Sequence, residues 1–429
     1  MSGARSWMLY GAAGYTGALI AQHAHDCGHR PLLAGRSAAA ITSLAGQFDL
    51  PHQALALDDP AALNAALADV DLVLNAAGPF LHTAAPLAEA CLNAGVHYID
   101  IGNELQVFST LYDLHQRAQR ADVAIIPGAG FGVVATNCLA RYVSDAVGGA
   151  QQLEVATRAA TAQPGPGGAA SMRANLPYGG WIRRAGQLHP HPFGSGATTI
   201  TFPDGPCRVR PVPTGDLEAA FRATGAPDIV AYSAELDPAA LNPPASDSEA
   251  AGPPTYRSFG WARATGADGA TAQAWLQTGE SYAFTVAASI RAVEETFTRP
   301  MRGAFSPAAA FGAGFAFTIQ GTTGSTPSPQ QRCRPKGSEG GRRGLRNRAG
   351  RGRLRGSARP APAAGEPTCS GCREGRGSAR RRDPRPRCRR QARPGSSASC
   401  YAAAFLLSSA RTRLAAAAGP ARCGRLSLR

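Results

Sequence analysis

The strongest constraint on the fold is the stretch 7–17, which reads Trp-Met-Leu-Tyr-Gly-Ala-Ala-Gly-Tyr-Thr-Gly. Four large apolar residues run into glycines at positions 11, 14 and 17, and residues 18–25 then have helical character. This order predicts a strand, a tight turn and a helix N-terminus. The glycines have separate roles: Gly11 lets the chain turn, Gly14 lets backbone approach a ligand, and Gly17 lets the helix pack close to the strand. With Ala12, Ala13, Tyr15 and Thr16 they form a turn whose unpaired amides and positive helix end would hold a pyrophosphate. The spacing is GxxGxxG rather than GxGxxG, and in a chain with 50 glycines it also fits a bare structural turn.

The pattern downstream of Gly17 favours a bound ligand over a bare turn. Short apolar runs at 30–34, 53–57, 70–75, 96–101 and 123–126 alternate with helical stretches at 38–48, 61–67, 83–94 and 105–121. Six strands in such a series predict an α/β fold, a doubly wound parallel Rossmann sheet over residues 1–127. Ligands of these sheets bind beyond the carboxyl ends of the strands, where Gly11, Arg36, Asp58, Ala76 and Asp100 converge. Arg36 lies 19 residues after Gly17, followed by Ser37 and with no acid nearby. An acid there would bond both ribose hydroxyls, whereas an arginine pairs with a 2′-phosphate, so NADP(H) is favoured over NAD(H). Arg36 as a solvated loop residue is the alternative. Asp58 or Asp59 either caps the helix begun by Pro60 or contacts adenine. Ala76, Ala77 and Gly78 are small residues where backbone must pass close to a ligand.

Charge divides the chain. Residues 332–429 carry 26 Lys+Arg against 4 Asp+Glu, more positive charge than the whole chain's net +15, which leaves residues 1–331 at net −7. Affinity for nucleic acid would therefore reside in the tail, and only if the tail is genuine. From 330 onward the composition turns to Arg, Gly, Pro, Ala and Ser, which predicts disorder. Three readings compete: a basic tail binding nucleic acid or anionic lipid, a solvated linker carrying a short helix at 401–418, and a frame-shifted, non-native extension. The last is favoured, because Lys336 is the only lysine of the chain and out-of-frame GC-rich DNA yields this composition. No run reaches a membrane span and no signal peptide is visible, so a cytoplasmic location is expected. Four body cysteines are widely spaced and all nine histidines precede residue 192, so no metal site is expected.

The segments 9–17, Ala34-Gly35-Arg36-Ser37, Asn75-Ala76-Ala77-Gly78-Pro79-Phe80 and Tyr98-Ile99-Asp100 followed by Gly102-Asn103-Glu104 resemble the saccharopine dehydrogenase-like oxidoreductases. The likeness is greatest to the bacterial branch that includes trans-acting enoyl reductases. Pro127-Gly128-Ala129-Gly130-Phe131, Gly179-Gly180-Trp181, 213–217 and 279–317 extend the resemblance, which covers roughly residues 6–322. It implies an NAD(P)H cofactor and a second, α+β substrate domain at 128–322, with a return helix at about 280–296 packing on the first domain. The tail then occupies 323–429. There is one departure: where the family usually reads Asp-x-x-Pro-[Ser/Thr]-Asp after Phe131, this chain has Gly132-Val133-Val134-Ala135-Thr136-Asn137.

Beyond residue 150, runs at 153–160, 198–202 and 209–212 predict strands, while 163–168, Pro243-Pro244 and 250–254 predict loops. Trp181, Arg183 and Arg184 suit either a capping loop with solvated charges or a lid facing substrate. Candidate proton donors at the mouth of the fifth strand are Tyr98, Asp100, Asn103 and Glu104; helix capping by Asp100 and Asn103 is the competing role. With no lysine in the body, a Tyr-Lys dehydrogenase mechanism is excluded. The expected function is an NADP(H)-dependent oxidoreductase that transfers hydride to or from a small carbonyl, imine or enoyl substrate. The alternative is a non-catalytic NADP(H)-binding sensor or scaffold. A homodimer is compatible with the sequence.

Overall fold

The computed structural model describes residues 5–160, 165–192, 195–235, 256–325 and 328–330. The readings of the basic tail beyond 330, and of the loops at Pro243-Pro244 and 250–254, fall outside the described residues.

The first domain is the alternating series expected. Its elements are β1 (Trp7–Tyr10), α1 (Tyr15–Asp26), β2 (Leu32–Gly35), α2 (Ala38–Phe48), β3 (His52–Ala54), α3 (Pro60–Leu67), β4 (Leu72–Asn75), α4 (Phe80–Ala94), β5 (His97–Asp100), α5 (Leu105–Asp113), α6 (His115–Arg120) and β6 (Ala124–Ile126). The strands pair in parallel in the order β3-β2-β1-β4-β5-β6. Alternate residues explain why the strands read as continuous apolar runs: Trp7 and Leu9 enter the core on one face of the sheet, Met8 and Tyr10 that on the other. The order in which the chain adds strands reverses between β1 and β4, which opens a crevice above their carboxyl ends.

The helix expected over 105–121 is broken at Leu114. The break turns His115 so that its Nδ1 accepts the Ala304 N–H at 3.1 Å, a long-range contact that local periodicity does not encode.

The second domain comprises α7 (Phe131–Ala146), β7 (Ala150–Arg158), α8 (Pro166–Asn175), β8 (Gly180–Arg184), β9 (Gln187–His191), β10 (Thr198–Phe202), β11 (Gly205–Pro211), α9 (Asp216–Thr224), β12 (Asp228–Ala234), β13 (Ser258–Gly266), β14 (Thr271–Thr278) and α10 (Ser281–Thr298). The chain then returns to the first sheet as β15 (Gly303–Ala304), parallel to β6. It continues through α11 (Pro307–Phe311) to β16 (Thr323–Gly324) and β17 (Ser328–Gln330), which both pair with β14. The second sheet therefore includes residues placed in the tail by the 323 boundary. It is a mixed sheet, parallel only where β12 meets β7 among its named pairings, and α7 packs across one face. Residues 166–168, expected as loop, begin α8. The return helix α10 packs on α1, as expected from 280–296. Among the described residues no helix is long and apolar enough to cross a membrane.

Candidate functional site

The glycine turn is built by close approach. Gly11 leaves β1 with φ of 83°, and a Cβ there would lie 2.7 Å from the Ala77 backbone nitrogen, so the ends of β1 and β4 touch only because no side chain intervenes. The Gly11 and Ala12 N–H groups both donate to the Ala34 carbonyl, tying the turn to β2. A Cβ on Gly17 would fall 2.2 Å from the Gly11 oxygen, which sets how near α1 lies to the turn. Gly14 caps α1 in an extended conformation without a side-chain hydrogen bond. The first-turn amides thus have neither an intrahelical partner nor a cap, and the positive helix end is free to hold an anion.

A cleft of about 590 Å³ opens over this turn. Of the residues expected to bind a cofactor, Gly11, Ala13, Gly14, Tyr15, Thr16, Arg36, Ser37, Asp58, Ala76, Ala77 and Gly78 line it; Ala12 and Gly17 are buried behind the turn. The two aspartates separate: Asp59 Oδ1 accepts from the Ala62 N–H at 3.0 Å and caps α3, leaving Asp58 to the cleft. Ser37 caps α2 through the Ala40 N–H, so Arg36 is held at a fixed helix start, exposed and without an ion pair among the described residues. Tyr10, Ile41 and Leu57 complete this side. The sequence missed them, together with Pro79, His82 and Thr83 after β4 and Gly165, Gly167 and Gly168 of the second domain.

The floor after β4 is braced from beneath. Asn75 Oδ1 accepts the Ala77 N–H at 2.9 Å, and its Nδ2 donates to Thr83 Oγ1 and to the Tyr98 hydroxyl at 3.1 Å. Thr83 in turn donates to the Ala77 carbonyl, and Tyr98 to Asp100 Oδ2 at 2.9 Å. Asp100 Oδ1 accepts from Gly102 and Gly128, so one carboxyl ties the loops after β5 and β6. Burial pushes this carboxyl up to about 6 against the lowering effect of its hydrogen bonds, and pushes the Tyr98 phenol well above its ordinary value.

The candidate donors Tyr98 and Asp100 are fully buried, and neither they nor Asn103 line the cleft. Nor do Asp100 and Asn103 cap the following helix: Asn103 Oδ1 accepts the Gly215 N–H at 3.1 Å, and Glu104 Oε1 takes the Phe80 N–H. All four hold loops together.

The second domain meets the cleft beside Tyr15. The Tyr282 hydroxyl accepts the Gly165 N–H at 2.8 Å, and the Tyr15 and Tyr282 rings stack edge to face with centroids 5.0 Å apart. Trp181, Arg183 and Arg184 are not a lid, nor a solvated loop. They lie in β8, and Arg183 is buried with Glu218 at 2.9 Å, over the Phe221 ring and bonded to the Leu217 and Gly186 carbonyls. The departing segment 132–137 lies in α7. There Gly132 leaves room for the Asn103 amide, Thr136 bonds Asp216, and Asn137 Oδ1 accepts the Ala308 N–H at 2.8 Å. These positions hold the domain together away from the cleft.

Residues 7–126 match the family model described as the saccharopine dehydrogenase NADP binding domain. Over this span the first domain is similar to that family. The matched span begins at β1 and ends at β6, so the saccharopine dehydrogenase-type domain is the parallel sheet with its glycine turn. Trans-acting enoyl reductase of Mycobacterium bovis (strain BCG / Pasteur 1173P2) is 33% identical over 132 residues, which are 29% of this chain and 32% of that protein. Trans-acting enoyl reductase of Mycobacterium leprae is 32% identical over 135 residues, 30% of this chain and 32% of its own. The aligned stretch thus spans about a third of the length of these relatives. Among solved structures, apo saccharopine dehydrogenase (L-Glu forming) from Saccharomyces cerevisiae aligns with a TM-score of 0.49 and 11% identity, covering 73% of this chain and 96% of that one.

The cleft residues fit a dinucleotide phosphate. The bare turn at Gly11 and Gly14 leaves backbone open to a ligand, the uncapped start of α1 suits a pyrophosphate, and Arg36, without an ion pair among the described residues, lines the same cleft.

Proposed function

We propose that the protein is an NADP(H)-dependent oxidoreductase that transfers hydride to or from a small carbonyl, imine or enoyl substrate. The observation carrying this reading is the continuous cleft joining Arg36, the uncapped N-terminus of α1 and the small residues Ala76, Ala77 and Gly78. The cofactor, when bound, supplies the hydride. The chain's own residues bind and orient: the first-turn amides of α1 take the pyrophosphate, Arg36 selects the 2′-phosphate, and Asn75 holds the Ala77 backbone in place. Glycines 165, 167 and 168 bring the second domain to the same cleft. The named family of the first domain and the enoyl reductase relatives support the class of reaction. Oxidation of NADPH by the full chain across a panel of enones, ketones and imines tests it. Turnover with at least one class supports the reading.

One observation favours a second reading, a non-catalytic NADP(H) sensor or scaffold: Tyr98 and Asp100 are spent on buried bracing. Tight NADPH binding with no oxidation across the same panel would favour it.

A further inference from the structure

We infer that His82 is the proton donor of the reductase proposed above, and the inference rests on that activity. The cleft runs from Arg36 at the end of β2, over the glycine turn, to residues 76–83 after β4. In a doubly wound sheet the two halves of a dinucleotide lie on either side of the switch point, so the end remote from Arg36 is the reacting end. His82 lines that end from the first turn of α4. It is exposed, and among the described residues no hydrogen bond or ion pair engages its ring.

Its backbone, by contrast, is fixed. Glu104 Oε1 holds the Phe80 N–H at 3.2 Å, Thr83 Oγ1 is bonded to the Ala77 carbonyl at 2.5 Å, and the His82 N–H donates to the Pro79 carbonyl at 3.1 Å. A free imidazole on a rigid turn is the arrangement a donor needs. The other ionisable side chains lining the cleft are Arg36, Asp58, Tyr10 and Tyr15. Arg36 and Asp58 belong to the β2 and β3 side, and burial raises both phenols, which keeps them protonated near neutrality.

Reduction of a C=O, C=N or C=C bond takes up one hydride and one proton. The imidazolium N–H bond breaks, an O–H, N–H or C–H bond forms on the substrate, and the neutral imidazole regains its proton from water at its exposed face. In the oxidative direction the same ring accepts the proton.

The test uses charge rather than turnover. NADP⁺ carries a positive nicotinamide and NADPH a neutral one, so a neighbouring imidazolium gives up its proton when NADP⁺ binds and keeps it when NADPH binds. Calorimetric titrations of the full chain near pH 6.5, in two buffers of different ionisation enthalpy, count the protons released. The 2′-phosphate contributes equally to both nucleotides and cancels in the difference. We expect NADP⁺ to release more proton than NADPH, and His82→Gln to abolish the difference while both nucleotides still bind. Equal release with the wild type, or a difference that survives His82→Gln, would overturn the assignment to His82. Binding of neither nucleotide would overturn the proposed activity and the donor with it.

Discussion

The Tyr98 hydroxyl donates to Asp100 at 2.9 Å while accepting from the Asn75 amide at 3.1 Å, so two candidate acids are each other's structural partners. Tyr98→Phe leaves a carboxylate oxygen and an amide N–H of this buried cluster short of a partner. Stability should fall by about 1–3 kcal/mol in chemical denaturation. NADPH affinity should fall with it, since Asn75, which braces the Ala77 backbone, loses one of its own partners, but binding should persist.

Arg36 should decide between the two nicotinamide dinucleotides. Arg36→Ala removes a charge-assisted contact worth about 1.5–3 kcal/mol, so the NADPH dissociation constant should rise roughly 10- to 100-fold. That for NADH should stay within about twofold. Titrations of both nucleotides by protein fluorescence check this, and equal losses would show that Arg36 does not read the 2′-phosphate.

Gly17 is a packing glycine. A methyl group there would fall 2.2 Å from the Gly11 oxygen and 2.9 Å from Ala12, both backbone that cannot yield cheaply. Gly17→Ala should lower stability by about 3 kcal/mol or more, measured by denaturant unfolding.

Asp216 should give stability an inverse dependence on pH. Burial lifts its carboxyl from 3.8 to about 6, with Thr136 and Thr214 only partly opposing. Between those values the native state holds a proton that the unfolded chain has released. Its contribution is therefore fully present below about 3.8 and is lost as pH rises through about 6. Asp216→Asn should gain on the wild type by about 2 kcal/mol between pH 4 and pH 8, read from unfolding curves of both proteins at each pH. A constant gap would contradict the shift.

Much of the first domain was legible because its signals are local. The apolar runs located every strand of the Rossmann series to within a few residues, and the glycines, Arg36, Asp58 and residues 76–78 all reached the cleft except where Ala12 and Gly17 lie behind it. His82 escaped because the helix after β4 begins at Phe80 rather than at residue 83, which places the histidine in a first turn facing the crevice. Helix α7 is buried along most of its length against the second sheet, a packing that rests on residues distant in sequence. Gly165, Gly167 and Gly168 arrive through a contact with Tyr282 more than a hundred residues away, and the Arg183–Glu218 pair likewise depends on tertiary approach.

If the turn from Gly11 to Gly17 and the start of α1 hold the cofactor's pyrophosphate, a carboxylate placed in that turn must repel it. Titration of NADPH into the wild-type chain and into Gly14→Asp, followed by nucleotide fluorescence, measures this directly. Binding to the wild type should be saturable and micromolar or tighter. The variant should lose at least about 100-fold, because its carboxylate meets the phosphate at an uncapped helix end. Unchanged affinity in a folded Gly14→Asp protein, or no binding to the wild type, would contradict a pyrophosphate site at this turn.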